Sequence, residues 1–163
     1  MYQRKFGLPV FITPKTLAFA EDRQKLGKLC NINYFQPGEE LHFNSISVQT
    51  VPCPHDGVDG VAFVISSGEK RFGLLTDLGH VFKDLVPLMP ALDAVFIESN
   101  YDPEMLARGP YPPFLKRRIA GPQGHLSNAE AAELLQSGSR LKWACLAHLS
   151  NNNNDPVTAL KTH

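Results

Sequence analysis

Four residues able to bind a metal fall at the ends of apolar, strand-like runs. His55 follows LHFNSISVQTVP, Asp77 closes RFGLLTD, Glu98 ends AVFIE before Ser99, and His148 lies near the end of WACLAHLS. The carboxyl ends of strands in open α/β sheets form the crevice where sites are built. Imidazole and carboxylate are donors that zinc, manganese or iron accept, and one carboxylate can bridge two ions while each histidine serves one. Metal-assisted chemistry is the economical reading. Each residue alone also has a plainer explanation. His55 fits a turn residue bonded to nearby backbone, and Asp77, in Thr76-Asp77-Leu78-Gly79, fits a helix N-cap. His148 fits a hydrogen-bonded core histidine, and Glu98 a loop cap or a partner of Lys or Arg.

A second constellation is Gly124-His125-Leu126-Ser127-Asn128, directly ahead of a helical run. The unpaired N–H groups of a helix start attract anions, phosphate commonly among them. A histidine there can touch a scissile phosphate or protonate its leaving oxygen; equally, Ser127 can cap the helix and leave His125 as a surface residue. The basic run Lys116, Arg117 and Arg118 reads either as a grip on a polyanion or as a solvated helix face.

The elements that position these residues alternate β-rich and helical runs, the pattern of a layered α/β domain. Leu8 to Pro14 reads as a buried strand and Thr16 to Leu29 as a helix. After a turn at Gln36 to Glu39, the alternation from Leu41 to Val51 reads as one long half-buried strand. Val61 to Ile65 and Phe72 to Leu75 form a hairpin, followed by a helix over Val81 to Met89 and a strand over Ala94 to Ser99. Arg108 to Pro113 is a loop and Phe114 to Ile119 a short basic helix. Ser127 to Gln136 is helical, with Ser127 and Glu130 at capping-box spacing. Trp143 to Ser150 is the last strand, before a polar loop from Asn151 to Asp155.

Composition sets bounds. The 163 residues, 43% of them hydrophobic, suit one globular domain over 1–163 with a real core. Lys+Arg and Asp+Glu cancel at 16 each, so no global positive field announces nucleic acid. No run reaches the roughly eighteen apolar residues of a membrane span, and the opening segment, broken at Pro9 and Pro14, is too short for a signal core; a cytoplasmic protein is expected. Cys30, Cys53 and Cys145 show no CxxC spacing and read as inert thiols.

Taken together, Pro54-His55-Asp56-Gly57, Thr76-Asp77-Leu78-Gly79, Ile97-Glu98-Ser99-Asn100-Tyr101-Asp102, Leu115-Lys116-Arg117-Arg118-Ile119, Gly124-His125-Leu126-Ser127-Asn128 and His148-Leu149-Ser150 with its Asn run resemble the metallo-β-lactamase superfamily. The likeness is to its WalJ/VicX (YycJ) type branch, related more distantly to RNase Z, and it runs over nearly the whole chain. The resemblance implies an αββα sandwich with two divalent ions, Zn or Mn, at one sheet edge. His55 then resembles the histidine on one metal, Asp77 the bridging carboxylate, His148 the histidine on the other, and His125 the phosphate-contacting histidine. Ser127, Asn128, Lys116 and Arg117 are the implied substrate contacts. The implied activity is phosphodiester hydrolysis, with nucleic acid the substrate and DNA exonuclease action the branch's association.

One departure qualifies this. The superfamily's HxHxDH signature is missing: the histidines stand at 42, 55, 80, 125, 148 and 163. The expectation is an incomplete sandwich whose signature-bearing N-terminal part lies outside the chain, with each ion short of ligands and negligible activity alone. A homo-oligomer is one outcome of the faces left uncovered. A degenerate, non-catalytic module, or a hydrolase of a small cyclic phosphodiester or thioester, is the alternative.

Overall fold

The computed structural model describes residues 2–23, 27 and 29–163. Its centre is a six-stranded sheet in the order β3-β4-β5-β6-β7-β8: β3 Glu40–Phe43, β4 Ile46–Pro52, β5 Val61–Ser67, β6 Lys70–Leu75, β7 Ala94–Glu98 and β8 Trp143–Ala147. The strands run antiparallel from β3 to β6 and parallel from β6 to β8. The three parallel strands therefore end at one edge, where Asp77, Glu98 and His148 follow one another across the sheet. A small parallel pair, β1 (Val10–Ile12) and β2 (Ile32–Tyr34), stands apart.

Alternation along the strands decides the faces. Val51, Ala62, Val64, Leu75, Val95 and Ile97 point to one side and are buried with Leu78, Leu85, Met89, Leu92, Leu126, Ala131 and Leu134. That layer holds α5 (Asn128–Gln136) and a 3₁₀ helix over Val86–Ala91. On the opposite side β1 and α2 (Pro14–Arg23) lie over the β3–β5 end: the Phe11 and Phe43 rings meet edge to face at 4.9 Å, and Thr16 Oγ1 donates to the Val58 carbonyl at 2.8 Å. Among the described residues the β6–β8 end of that side stays open, with Leu74 and Trp143 exposed. No helix of the described residues is long and apolar enough to cross a membrane.

Several elements differ from the sequence reading. The run Leu41 to Val51 is two strands, not one. Asn44, with φ 55°, turns the chain back so that Phe43 faces Ile46, and an Asn in the left-handed region is what a two-residue hairpin uses. The apolar alternation survives the reversal and conceals it. The expected helix over Val81 to Met89 is only the 3₁₀ helix over Val86–Ala91, which carries Pro90 and cannot sustain α-helical bonding. Pro14 begins α2 instead of ending a strand; the part of the expected helix at residues 24–26 and 28 lies outside the described residues. Three helices were not anticipated: α1 (Tyr2–Phe6), α3 (Pro103–Arg108) and α6 (Pro156–Thr162). The basic helix α4 (Pro113–Ile119) and the capping box of α5, where Glu130 accepts the Ser127 N–H at 2.8 Å, match the expectation.

Candidate metal centre

Glu98, the last residue of β7, is fully buried. A carboxylate in such a place is costly unless donors surround it. Oε2 accepts the Leu78 N–H at 2.9 Å and the Leu126 N–H at 3.4 Å, while Oε1 accepts Nδ1 of His125 at 2.6 Å and Nδ1 of His148 at 2.9 Å. Burial pushes the carboxyl up, but the bonds from His125, His148 and the Leu78 amide outweigh it and hold its pKa at about 2. Glu98 is thus an anion that fixes two imidazoles with Nδ1 inward, and Nε2 remains each ring's open nitrogen.

His55 is fixed in the same way by a different group. Its Nδ1 donates to the Gly124 carbonyl at 2.9 Å, and its Nε2 lies 3.5 Å from Asp77 Oδ1. The three rings stand in a row, with centroids 4.9 Å apart for His55 and His125 and 5.1 Å for His125 and His148. Asp77 Oδ1 is also 3.7 Å from His148 Nδ1. The bond to Glu98 raises the His148 pKa, burial opposes it, and the Asp77 charge adds to the rise. Ligand atoms of His55, Asp77 and His125 all lie within 4.8 Å of one another, as do those of Glu98, His125 and His148. The Glu98 oxygens are already occupied, Oε1 by the two ring N–H groups and Oε2 by the Leu78 and Leu126 amides, so Asp77 and the histidine Nε2 atoms are what stay open to an ion. Metal-binding histidines commonly donate their second N–H to a carboxylate or carbonyl, and all three rings do so. The residues present therefore fit a divalent ion.

The backbone supports the same focus. Asp77 and His148 both have φ 56°, a left-handed conformation that costs an L-residue about 1–2 kcal/mol. Both follow a strand whose side chain must be turned back toward the crevice. The His148 turn is held by Asn100, whose Nδ2 donates to the His148 carbonyl at 2.7 Å. The Asp77 turn is held by Gly79, with φ 74°, where a Cβ would run into the Pro54 and Pro122 carbonyl oxygens.

The structure gathers His55, Asp77, His125 and His148, and leaves the other expected contacts elsewhere. Asn128 is fully buried, with its amide oxygen accepting from Ser99 Oγ at 2.6 Å and its Nδ2 donating to Asn154 at 3.1 Å. It belongs to the scaffold and not to a substrate surface. Ser127 is spent on the helix cap, its Oγ 2.6 Å from Glu130. Lys116 Nζ donates to the Ala107 carbonyl at 2.6 Å, and Arg117 faces a side recess by Gly121 and Pro122. The basic residue that reaches the crevice is Arg118: it lines a recess with His125 and His148 and makes a two-point bond to Asp56, at 2.5 and 2.9 Å. That bond holds the Asp56 carboxyl below its usual range. Sequence reasoning noted Glu98 at its strand end but gave it no place among the site residues; its two histidine partners are 27 and 50 positions away.

No family model matches the chain. It is 34% identical over 155 residues to an exodeoxyribonuclease WalJ of Streptococcus pneumoniae, covering 93% of this chain and 58% of that protein. It is 32% identical over 155 residues to an exodeoxyribonuclease YycJ of Bacillus anthracis, with the same coverage. Among solved structures, the metallo-β-lactamase fold protein YhfI of Bacillus subtilis superposes with a TM-score of 0.66 at 19% identity, over 95% of this chain and 57% of that one. This is a metallo-β-lactamase-fold chain. Zn²⁺-bound PqqB of Methylobacterium extorquens shares the fold, with a TM-score of 0.63 at 17% identity over 93% of this chain and 57% of that one. The metallo-β-lactamase-fold chain thus has WalJ and YycJ among its relatives, and it spans somewhat over half the length of those it matches.

Proposed function

We propose that the chain carries part of a metal-dependent phosphodiesterase site that acts on DNA. One observation carries the reading: three imidazoles with Nδ1 committed to Glu98 or to the Gly124 carbonyl, and an exposed-edge carboxylate, Asp77, beside them. His55, Asp77 and His148 are the proposed ligands of two divalent ions, Zn or Mn, with Asp77 Oδ1 3.5 Å from His55 Nε2 and 3.7 Å from His148 Nδ1. The names of the curated relatives, both exodeoxyribonucleases, support nucleic acid as the substrate.

Bound divalent ions supply Lewis acidity, lowering the pKa of water and balancing charge that gathers on phosphate oxygens. The chain's own residues do the rest. Glu98 keeps His125 oriented through Nδ1, so that its Nε2 side faces the crevice and can deliver a proton to the leaving oxygen, a general-acid contribution of about 10²–10⁴-fold. Arg118 presents a fixed guanidinium to the phosphate from the α4 side. His55, held by Gly124, and Asp77, held in its turn, preset the positions of the donors.

The signature histidine pair of the fold is not in the sequence, so the donor set is partial. Negligible turnover of bis(p-nitrophenyl) phosphate by this chain alone with Zn or Mn is the expected result. Supplying the portion of the pneumococcal relative that this chain does not span should restore metal-dependent hydrolysis, and His125→Ala should then lower it about 100-fold. Turnover indifferent to His125 would contradict the assignment. Persistent inactivity after metal-loaded reassembly would favour a non-catalytic module.

A further inference from the structure

Next to the histidine row, and lined by His125 and His148 themselves, lies a recess of about 270 Å³ with a mostly polar lining. We infer that this recess binds a single deoxynucleoside monophosphate unit, the end of a DNA strand, with its base against Tyr111 and its phosphate between Arg118 and the histidines. The inference rests on the phosphodiesterase reading of the site and extends it to the nature of the substrate end.

Three features point to this ligand. The recess, at about 270 Å³, lies just under the roughly 300 Å³ at which ligand pockets begin, the scale of a single nucleotide. Its two walls differ in chemistry. Tyr111 packs with Leu115 and Ile119 as an apolar wall, and the Asn152 amide donates to the Tyr111 hydroxyl at 2.7 Å, which fixes the ring. A fixed aromatic ring suits a base of any identity, because every base offers a π-face. His125 and His148 also line the recess, with Arg118. Arg118 uses Nε and Nη2 on Asp56, which immobilises the guanidinium and leaves its Nη1 edge for a phosphate oxygen.

The test is equilibrium binding of dAMP, dTMP and inorganic phosphate to the full chain in metal-free buffer, by calorimetry, with zinc binding measured on the same samples. The expected result is that both nucleotides bind at least tenfold more tightly than phosphate. Tyr111→Ala should abolish that ratio and leave phosphate affinity in place, Tyr111→Phe should keep it, and Arg118→Met should weaken nucleotides and phosphate alike by about tenfold. Nucleotides no tighter than phosphate, or a ratio that survives Tyr111→Ala, would overturn the inference. Zinc affinity separates the two levels: intact zinc binding through His55 and Asp77 with no nucleotide preference removes the recess assignment alone, whereas nucleotide binding without zinc removes the metal-dependent reading and leaves the recess.

Discussion

Glu98 organises the crevice at the scale of single residues. It touches no solvent and sits behind the histidines, so its effect on an ion would pass entirely through the Nδ1 atoms of His125 and His148. Glu98→Gln keeps the volume and removes the charge, and loss of such a supporting carboxylate lowers metal affinity about 10–100-fold. Calorimetric zinc titration of that variant should show a drop in this range, and an unchanged affinity would contradict the role. Asp77 offers a complementary check. Its φ of 56° strains an L-residue, so Asp77→Gly should raise the melting temperature while it removes zinc binding, a trade of function for stability. His55, Asp77 and His148 were legible because each closes a β-type run. The role of Glu98 was not, because its bonds come from strands and loops far along the chain.

The parallel strands at the scale of elements are tied together by Asp93 at the foot of β7. Its carboxylate accepts the Arg71 N–H at 3.0 Å and approaches Lys70 Nζ at 3.3 Å and Arg140 Nη2 at 3.5 Å. The Arg71 amide, with the two cations, holds the Asp93 pKa below its ordinary value of 3.8. A carboxyl depressed in the folded state contributes stability that is present above 3.8 and lost as pH falls toward the depressed value. The melting temperature should therefore fall with acidification below 3.8, and Asp93→Asn should flatten that part of the profile.

The Asn run is the loop its polarity suggests, but its burial was not legible: Asn153 and Asn154 are buried, and the Asn154 amide donates to the Ser99 carbonyl at 2.8 Å and to the Asn128 side chain at 2.8 Å. This web fastens the segment after His148 to the segment after Glu98. Asn154→Ala should cost about 1–3 kcal/mol by leaving buried groups without partners, read as a lower urea midpoint. Helices α3 and α6 were missed although Asp102-Pro103 and Asp155-Pro156 announce them. Asp102 caps Met105 N–H at 2.9 Å and Asp155 caps Thr158 N–H at 3.0 Å, with proline at the first helical position, where its missing N–H costs nothing.

At the scale of the whole molecule the layered architecture was legible, because strand alternation and the final capping box are local signals. What remained hidden is how one side of the sheet is covered. Phe72, Phe96 and Trp143 form an edge-to-face chain with centroid spacings of 5.6 and 5.3 Å, and Leu74 and Trp143 stand exposed on that side. Contiguous apolar surface of this kind drives association. Sedimentation of the chain should show concentration-dependent self-association, and Leu74→Lys should reduce it; a monodisperse monomer throughout would contradict the expectation.

The most direct test of the account is zinc titration of the chain and of three single variants, His55→Ala, Asp77→Asn and His148→Ala. The account predicts measurable binding by the parent chain and at least a tenfold loss of affinity in each variant, with circular dichroism unchanged. Equal affinity and stoichiometry in all four proteins would show that these side chains do not form a metal cradle.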